Sequence, residues 1–146
     1  FMELSEYKHS IDIHIRYDDL DTFNHVNNKA YLAYLEEARI DFHQKVYKWT
    51  GQPKISFLVA RIEIDYIRPV VFGDRLKVHS RVSEIGNKSF AISSVFTVAG
   101  KKPDETRIVS NAKVVLVNID LKSGLSIPIS DYDRNLLSDY QGGDRN

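Results

Sequence analysis

The chain has 146 residues, 42% hydrophobic and 27% charged, with 20 basic and 20 acidic side chains that cancel to a formal net charge of zero. That length fits one domain burying roughly 70% of the surface its unfolded chain exposes, and the balanced charge gives no general attraction to nucleic acid or to an anionic membrane. With no cysteine there are no disulfides, thiolate metal sites or cysteine nucleophile; with no basic start before an apolar stretch and no run of about 18 apolar residues, a cytoplasmic protein without a membrane span is expected.

Met2 reads as the natural start, with Phe1 an addition ahead of it. Residues 11–15, Ile-Asp-Ile-His-Ile, alternate with period two and predict a half-buried strand that ends near Arg16. Residues 17–28 follow neither hydrophobic period. They are rich in Asp and Asn, which hydrogen-bond their own backbone, and so predict a structured loop. From 30 to about 49, Tyr31, Tyr34, Leu35, Ala38, Phe42, Val46 and Trp49 recur at steps of three or four and form the apolar stripe of one long helix. Asn27 or Asn28 is its expected cap, and Gly51 with Pro53 its expected end.

The remainder predicts strands. Ile62, Ile64 and Tyr66 alternate with charged residues up to Pro69; Leu76, Val78, Ser80 and Val82 form a second row, and Phe90, Ile92, Ser94, Phe96 and Val98 a third. A last strand is expected over 107–118, and Ser130 with Asp131 and Asp133 has the pattern of a capped C-terminal helix. Turns at Phe72-Gly73-Asp74 and Gly86-Asn87 separate these strands without intervening helices. The pattern predicts an α+β domain over 2–140, an antiparallel sheet with the helix on one face, and a disordered tail over 141–146.

The usual nucleophile signatures are missing. Gly124-Leu125-Ser126-Ile127-Pro128 lacks the second glycine of a nucleophile elbow, and there is no Gly-rich phosphate loop. His9, His14, His25, His43 and His79 do not pair at the spacing of a helical zinc site, so neither a metal nor a cofactor is expected. The loop that runs into the helix is left. A helix start offers unpaired N–H groups and about half a positive charge, suited to the oxyanion of acyl transfer. A carboxylate just upstream can attack a carbonyl or activate water. Spacing alone favours plain capping and turn chemistry for this loop, although Asp18, Asp19 and Asp21 within four residues repel one another unless something compensates.

The segment Arg16-x-x-Asp19-x-Asp21-x-x-x-His25-Val26-Asn27-Asn28-x-x-Tyr31-x-x-Tyr34-x-Glu36-x-Ala38-Arg39 resembles the hot-dog-fold acyl-CoA thioesterases of the 4-hydroxybenzoyl-CoA thioesterase-like group. A second match, Asp65-Tyr66-x-x-Pro69-x-x-x-Gly73-Asp74-x-Leu76, reports mostly the fold. The resemblance runs from about His9 to Pro128. It implies a curved antiparallel sheet wrapped around one long central helix, with subunits pairing edge to edge into a homodimer or homotetramer whose active sites lie at the interface. It places the catalytic aspartate on Asp21 and the oxyanion-type backbone donor on or beside Asn28. Where relatives often carry small residues after the aspartate, this chain has Thr22, Phe23 and Asn24. Phe23, His25 and Asn27 are accordingly assigned to substrate binding, with His25 also able to bond loop backbone and Asn27 to cap.

Asp19 is read as an acceptor that organises the loop, Asp18 as solvated, and Glu36 as a reserve catalytic carboxylate on the helix that can pair with Arg39. Arg75, Lys77, His79 and Arg81 share one strand face, which reads as a solvated surface; part of that row, or Arg68 and Lys88 nearby, is the alternative partner for coenzyme A phosphates. The implied activity is acyl-CoA thioester hydrolysis without cofactor. Its rivals are hydrolysis of acyl groups borne on acyl carrier protein and acyl binding without catalysis.

Overall fold

The two hydrophobic periods sort the chain into one sheet and one long helix. In a computed structural model, which describes residues 3–49 and 56–141, the main elements are β1 (His9–Ile13), α1 (Ala30–Tyr47), β2 (Phe57–Tyr66), β3 (Leu76–Ile85), β4 (Ser89–Val98), β5 (Arg107–Asn118) and α2 (Asp131–Ser138). The strands form one five-stranded sheet in the order β1-β3-β4-β5-β2, every neighbouring pair antiparallel. Strands β3, β4 and β5 follow one another as a meander. The chain then places β2, which precedes them, on the far edge beside β5.

The predicted rows of β3 and β4 are buried, whereas that of β2 is not: on this edge strand Ile62 and Tyr66 are exposed and only Ile64 is half-buried. Leu76, Val78, Ser80 and Val82 of β3 and Phe90, Ile92, Ser94, Phe96 and Val98 of β4 all face the core. They pack with Tyr31, Tyr34, Leu35, Ala38, Phe42 and Val46 of the predicted stripe; α1 ends at Tyr47, so Trp49, its expected last member, lies beyond the helix. The sheet therefore wraps one face around the helix, as the resemblance to the hot-dog fold implies. Strand β1 stops at Ile13, short of the expected Ile15, yet Ile15 is still buried in the core. Lys48, in the left-handed conformation at φ 55°, closes α1 with its N–H on the His43 carbonyl. Gly51 and Pro53, the expected terminators, lie outside the described residues.

A polar clip ties β1 to α1. His9, 2% exposed, meets the Asp41 carboxylate through Nε2 at 2.6 Å, and Lys45 Nζ approaches the same oxygen at 3.0 Å. At the other end of the chain, Ser130 caps α2 by accepting the Asp133 N–H at 3.1 Å, as its sequence pattern predicts. Gln141 forms an isolated bridge with Val82, and residues 142–146, the rest of the expected tail, lie outside the described residues. No described helix is long and apolar enough to cross a membrane.

Candidate active site

Residues 17–28 are held by their own side chains before they enter α1. A single 3-10 turn, Tyr17–Asp19, opens the segment, and Asp19 closes it by accepting the Arg16 N–H at 2.9 Å. The same carboxylate oxygen accepts the Tyr34 hydroxyl at 2.7 Å, and the Asp19 carbonyl accepts the Asn27 N–H at 2.7 Å. Burial, with the Asp19 carboxylate adding to it, holds the Tyr34 phenol far above its ordinary pKa, so it stays a donor. Asp19 thus ties the loop to the helix and serves as the organising acceptor its place in the sequence suggests.

Asp21 sits in a tighter turn. Its Oδ1 accepts the N–H groups of Phe23 at 2.8 Å and His25 at 3.1 Å, while its own N–H donates to the His25 carbonyl at 2.7 Å. Asn24 takes the left-handed conformation at φ 61°, one that Asn tolerates better than most residues. The next segment is pinned to the turn after β2: Val26 N–H donates to the Val70 carbonyl at 2.7 Å, and His25 bridges Val71. One oxygen of Asp21 therefore holds the turn. Its Oδ2 makes no hydrogen bond within the described residues.

The helix entry leaves one matching gap. The Asn27 side-chain oxygen accepts the Lys29 N–H at 3.1 Å, and the Asn27 carbonyl accepts the Ala30 N–H at 2.9 Å. The Asn28 carbonyl accepts the Tyr31 N–H at 3.3 Å and the Tyr66 hydroxyl at 3.0 Å. Asn27 is thus the capping residue of this entry turn, within the usual one or two residues of where the regular helix begins. The Asn28 N–H has no partner among the described residues.

Asp21, His25 and Asn28 line one cavity of about 190 Å³, with Tyr31, Tyr66 and Arg68 among the other walls. Burial, with smaller contributions from Tyr66 and Asp74, pushes the Tyr31 phenol up to about 12, which keeps it neutral. Phe23 is 78% exposed and, like Asn27, does not line this cavity. Glu36 is exposed, stands 3.9 Å from Arg39 and is also outside the lining. The sequence offered Arg68 only as an alternative partner for coenzyme A phosphates, and Tyr66, Ile67 and Pro69 were not singled out as site residues. Their signal was the Asp65-Tyr66-x-x-Pro69 motif, whose place opposite the helix start depends on the crossover that puts β2 at the far edge.

A larger groove of about 740 Å³ lies on the outer face of the sheet, lined by Arg68, Arg81, Arg107 and Lys113 together with Glu63 and Asp65. Arg68 and Ile67 border both spaces. The basic row on β3 is largely engaged by neighbours: Lys77 stands 3.8 Å from Asp12, His79 bonds Thr97 at 2.9 Å, and Arg81 lies over the Tyr7 ring. Among the described residues no group of three or more His, Asp or Glu is placed to hold a metal ion.

The chain matches the family model of the thioesterase-like superfamily over residues 15–135. It is 37% identical over 127 residues to the long-chain acyl-CoA thioesterase FadM of Escherichia coli, covering 86% of this chain and 93% of that protein. A Thermus thermophilus thioesterase solved with coenzyme A and zinc is 30% identical, covers 92% of this chain and 95% of its own, and superposes with a TM-score of 0.78. The Pseudomonas aeruginosa protein PA5185 shares the fold at a TM-score of 0.82 and 24% identity, covering 97% of this chain and 96% of that one.

Proposed function

The chain belongs to the thioesterase-like superfamily, and on that premise we propose that it hydrolyses acyl-CoA thioesters with Asp21 as the catalytic carboxylate and the Asn28 N–H as donor to the thioester carbonyl. One observation carries the assignment: Asp21, with one carboxylate oxygen unbonded, and Asn28, with an unpartnered N–H, line the same cavity among the described residues. A donor at a helix start meets a developing oxyanion in an orientation already fixed, and one such donor is worth about 10²–10³ in rate where it has been removed.

Two routes fit this geometry. As general base, Asp21 takes a proton from water while the water oxygen bonds to the carbonyl carbon; the tetrahedral oxyanion then collapses and expels the thiolate. As nucleophile, Asp21 itself bonds the carbon, the thiolate leaves, and water hydrolyses the resulting anhydride. A thiolate is a good leaving group, so neither route needs a strong acid beside the sulfur. In a single turnover in water labelled with heavy oxygen, label in the Asp21 carboxylate identifies the nucleophilic route with water opening the anhydride at the aspartyl carbon. Hydroxylamine trapping of the acyl-enzyme detects that route when water opens it at the acyl carbon, and the general-base route gives neither signal.

Arg68 is the residue we assign to a coenzyme A phosphate, because it borders both the cavity and the basic outer groove. Hydrolysis rates on acyl-CoA substrates of graded chain length test the activity, with long chains first because FadM is named for them. Matched acyl-carrier-protein substrates in the same panel test the rival carrier. The functional unit we propose is a homodimer or larger assembly formed through β2. This edge strand exposes Leu58, Val59 and Ile62, an apolar edge of the kind proteins pair or cover. Light scattering at micromolar concentration should show no active monomer.

A further inference from the structure

Tyr66 belongs to the sheet, yet its hydroxyl ends at the helix entry. Its backbone is fixed by pairing with Ser110 of β5, and the Ser110 hydroxyl donates to the neighbouring Asp65 carbonyl at 2.7 Å. Beyond Tyr66 the ladder stops, and the N–H groups of Ile67 and Arg68 both donate to the Val109 carbonyl. The ring stands edge-on to Tyr31 with centroids 5.0 Å apart, and Tyr31 in turn packs on Phe96 at 5.2 Å. A rigid strand end and an aromatic chain rooted in the core thus aim the hydroxyl at the Asn28 carbonyl, 3.0 Å away.

We propose that Tyr66 is a positioning residue for the Asn28 N–H. This rests on the thioesterase reading given above. Among the described residues the Asn28 carbonyl has two donors, and the one from the helix itself, Tyr31 N–H, is long at 3.3 Å. Tyr66 supplies the shorter contact and does so from a different element. The peptide that carries the Asn28 N–H is held at its own carbonyl, that of Asn27, by Ala30 N–H, and Tyr66 holds the next peptide. The two peptides joined at the Asn28 Cα are therefore both fixed, and the N–H cannot swing about that joint. An oxyanion donor works through such fixed direction, since reorienting it during reaction would consume its advantage. The Tyr66 proton is already directed at the Asn28 carbonyl, so the hydroxyl is not free to serve as acid toward the thiolate.

Tyr66→Phe removes the hydroxyl and keeps the ring against Tyr31. Losing one neutral hydrogen bond that orients the donor should lower kcat about 3- to 10-fold. KM, affinity for a non-hydrolysable acyl-CoA analogue and the shape of the pH–kcat profile should be unchanged, and the melting temperature should fall by no more than the loss of one exposed hydrogen bond allows. Asn28→Pro removes the N–H itself at a helix start, where proline is tolerated. In that background Tyr66→Phe should cause no further loss, because both changes act through one donor.

A wild-type kcat in Tyr66→Phe overturns the proposal, as does a loss carried by KM and analogue affinity, which would make Tyr66 a substrate contact. A changed pH profile would make it a proton donor, and full additivity with Asn28→Pro would detach it from that N–H; either result also overturns the proposal. Should Asn28→Pro fail to fold, the split between kcat and KM in Tyr66→Phe decides alone. Absence of acyl-CoA turnover in the unmodified protein would instead sink the thioesterase reading, a result that Tyr66→Phe cannot mimic.

Discussion

Two carboxylates on or beside α1 use their oxygens in different ways. Asp41, in the fourth turn of the helix, receives His9 and Lys45 on one oxygen and so links strand to helix and turn to turn. Asp21, ahead of the first turn, gives one oxygen to the backbone of its own loop, and its residue lines a cavity. Both side chains are anchored, but only one belongs to a residue of that cavity. Asp19 lies between these cases. It is two residues from Asp21, yet its bonded oxygen already holds Arg16 N–H and the Tyr34 hydroxyl. Proximity in sequence therefore says little about role here. All three bond through a single oxygen; what sets Asp21 apart, and supports its proposed catalytic role, is that it lines the cavity at the helix start together with Asn28, which Asp19 and Asp41 do not.

The largest effect should come from removing the charge of the Asp21 carboxylate. In Asp21→Asn the side-chain oxygen can still accept from Phe23 and His25, so the turn is retained while base and nucleophile are lost. Turnover of acyl-CoA should fall by about 10²–10⁴. Analogue binding should change little, and thermal stability should hold or rise as repulsion with Asp18 and Asp19 eases. A folded Asp21→Asn protein with near-normal kcat, beside an inactive Glu36→Gln, would move the chemistry onto the helix and end the distinction drawn here.

The middle of the range tests the two anchoring carboxylates against each other. Asp41→Asn removes the charge that faces Lys45 and His9, and with His9 buried it should cost about 1–3 kcal/mol of unfolding free energy while leaving kcat intact. Asp19→Asn should cost about 1 kcal/mol and also lower kcat by less than about tenfold, because the loop it ties to Tyr34 carries Asp21. Chemical denaturation and steady-state kinetics on the same preparations check both. Equal kinetic losses in the two variants would mean that Asp19 has no special hold on the site.

Much of this was legible in the residues. The inward rows of β3 and β4, the stripe of α1 and the span of β5 follow from period two and period three-to-four, because one face of each element is buried against the other. The loop before α1 stood out through its Asp and Asn content, and the motif resemblance singled out Asp21 and Asn28 within it. Tyr66 did not stand out. Its role depends on a contact 38 residues away in sequence and on β2 lying at the far edge of the sheet, an outcome of strand order that no local pattern encodes. His9 was hidden for a similar reason: only the fold brings it to Asp41, and a lone histidine in a strand pattern carries no sign of its partner.

The smallest predicted effect concerns acid, and it falls on the helix face around the clip. His43, 4% exposed, is held neutral by burial, with Arg39 adding repulsion, and its pKa drops from 6.5 to about 4. His9 is also lowered: burial outweighs the Asp41 contact that acts in the opposite sense. For a histidine lowered in the folded protein, the unfolded chain takes up the proton first. Stability is then full above the ordinary value and declines as pH falls toward the folded one. His43 alone should therefore remove roughly 1 kcal/mol between about pH 7 and about pH 5.5. Melting followed across that window should show the decline, and His43→Leu, which takes away the titrating ring and keeps an apolar side chain, should flatten it in part. The remaining slope is shared by His9 and His79, the latter also lowered by burial, and should flatten further in His9→Gln. A slope unchanged by both substitutions would place the acid sensitivity outside this face of the helix.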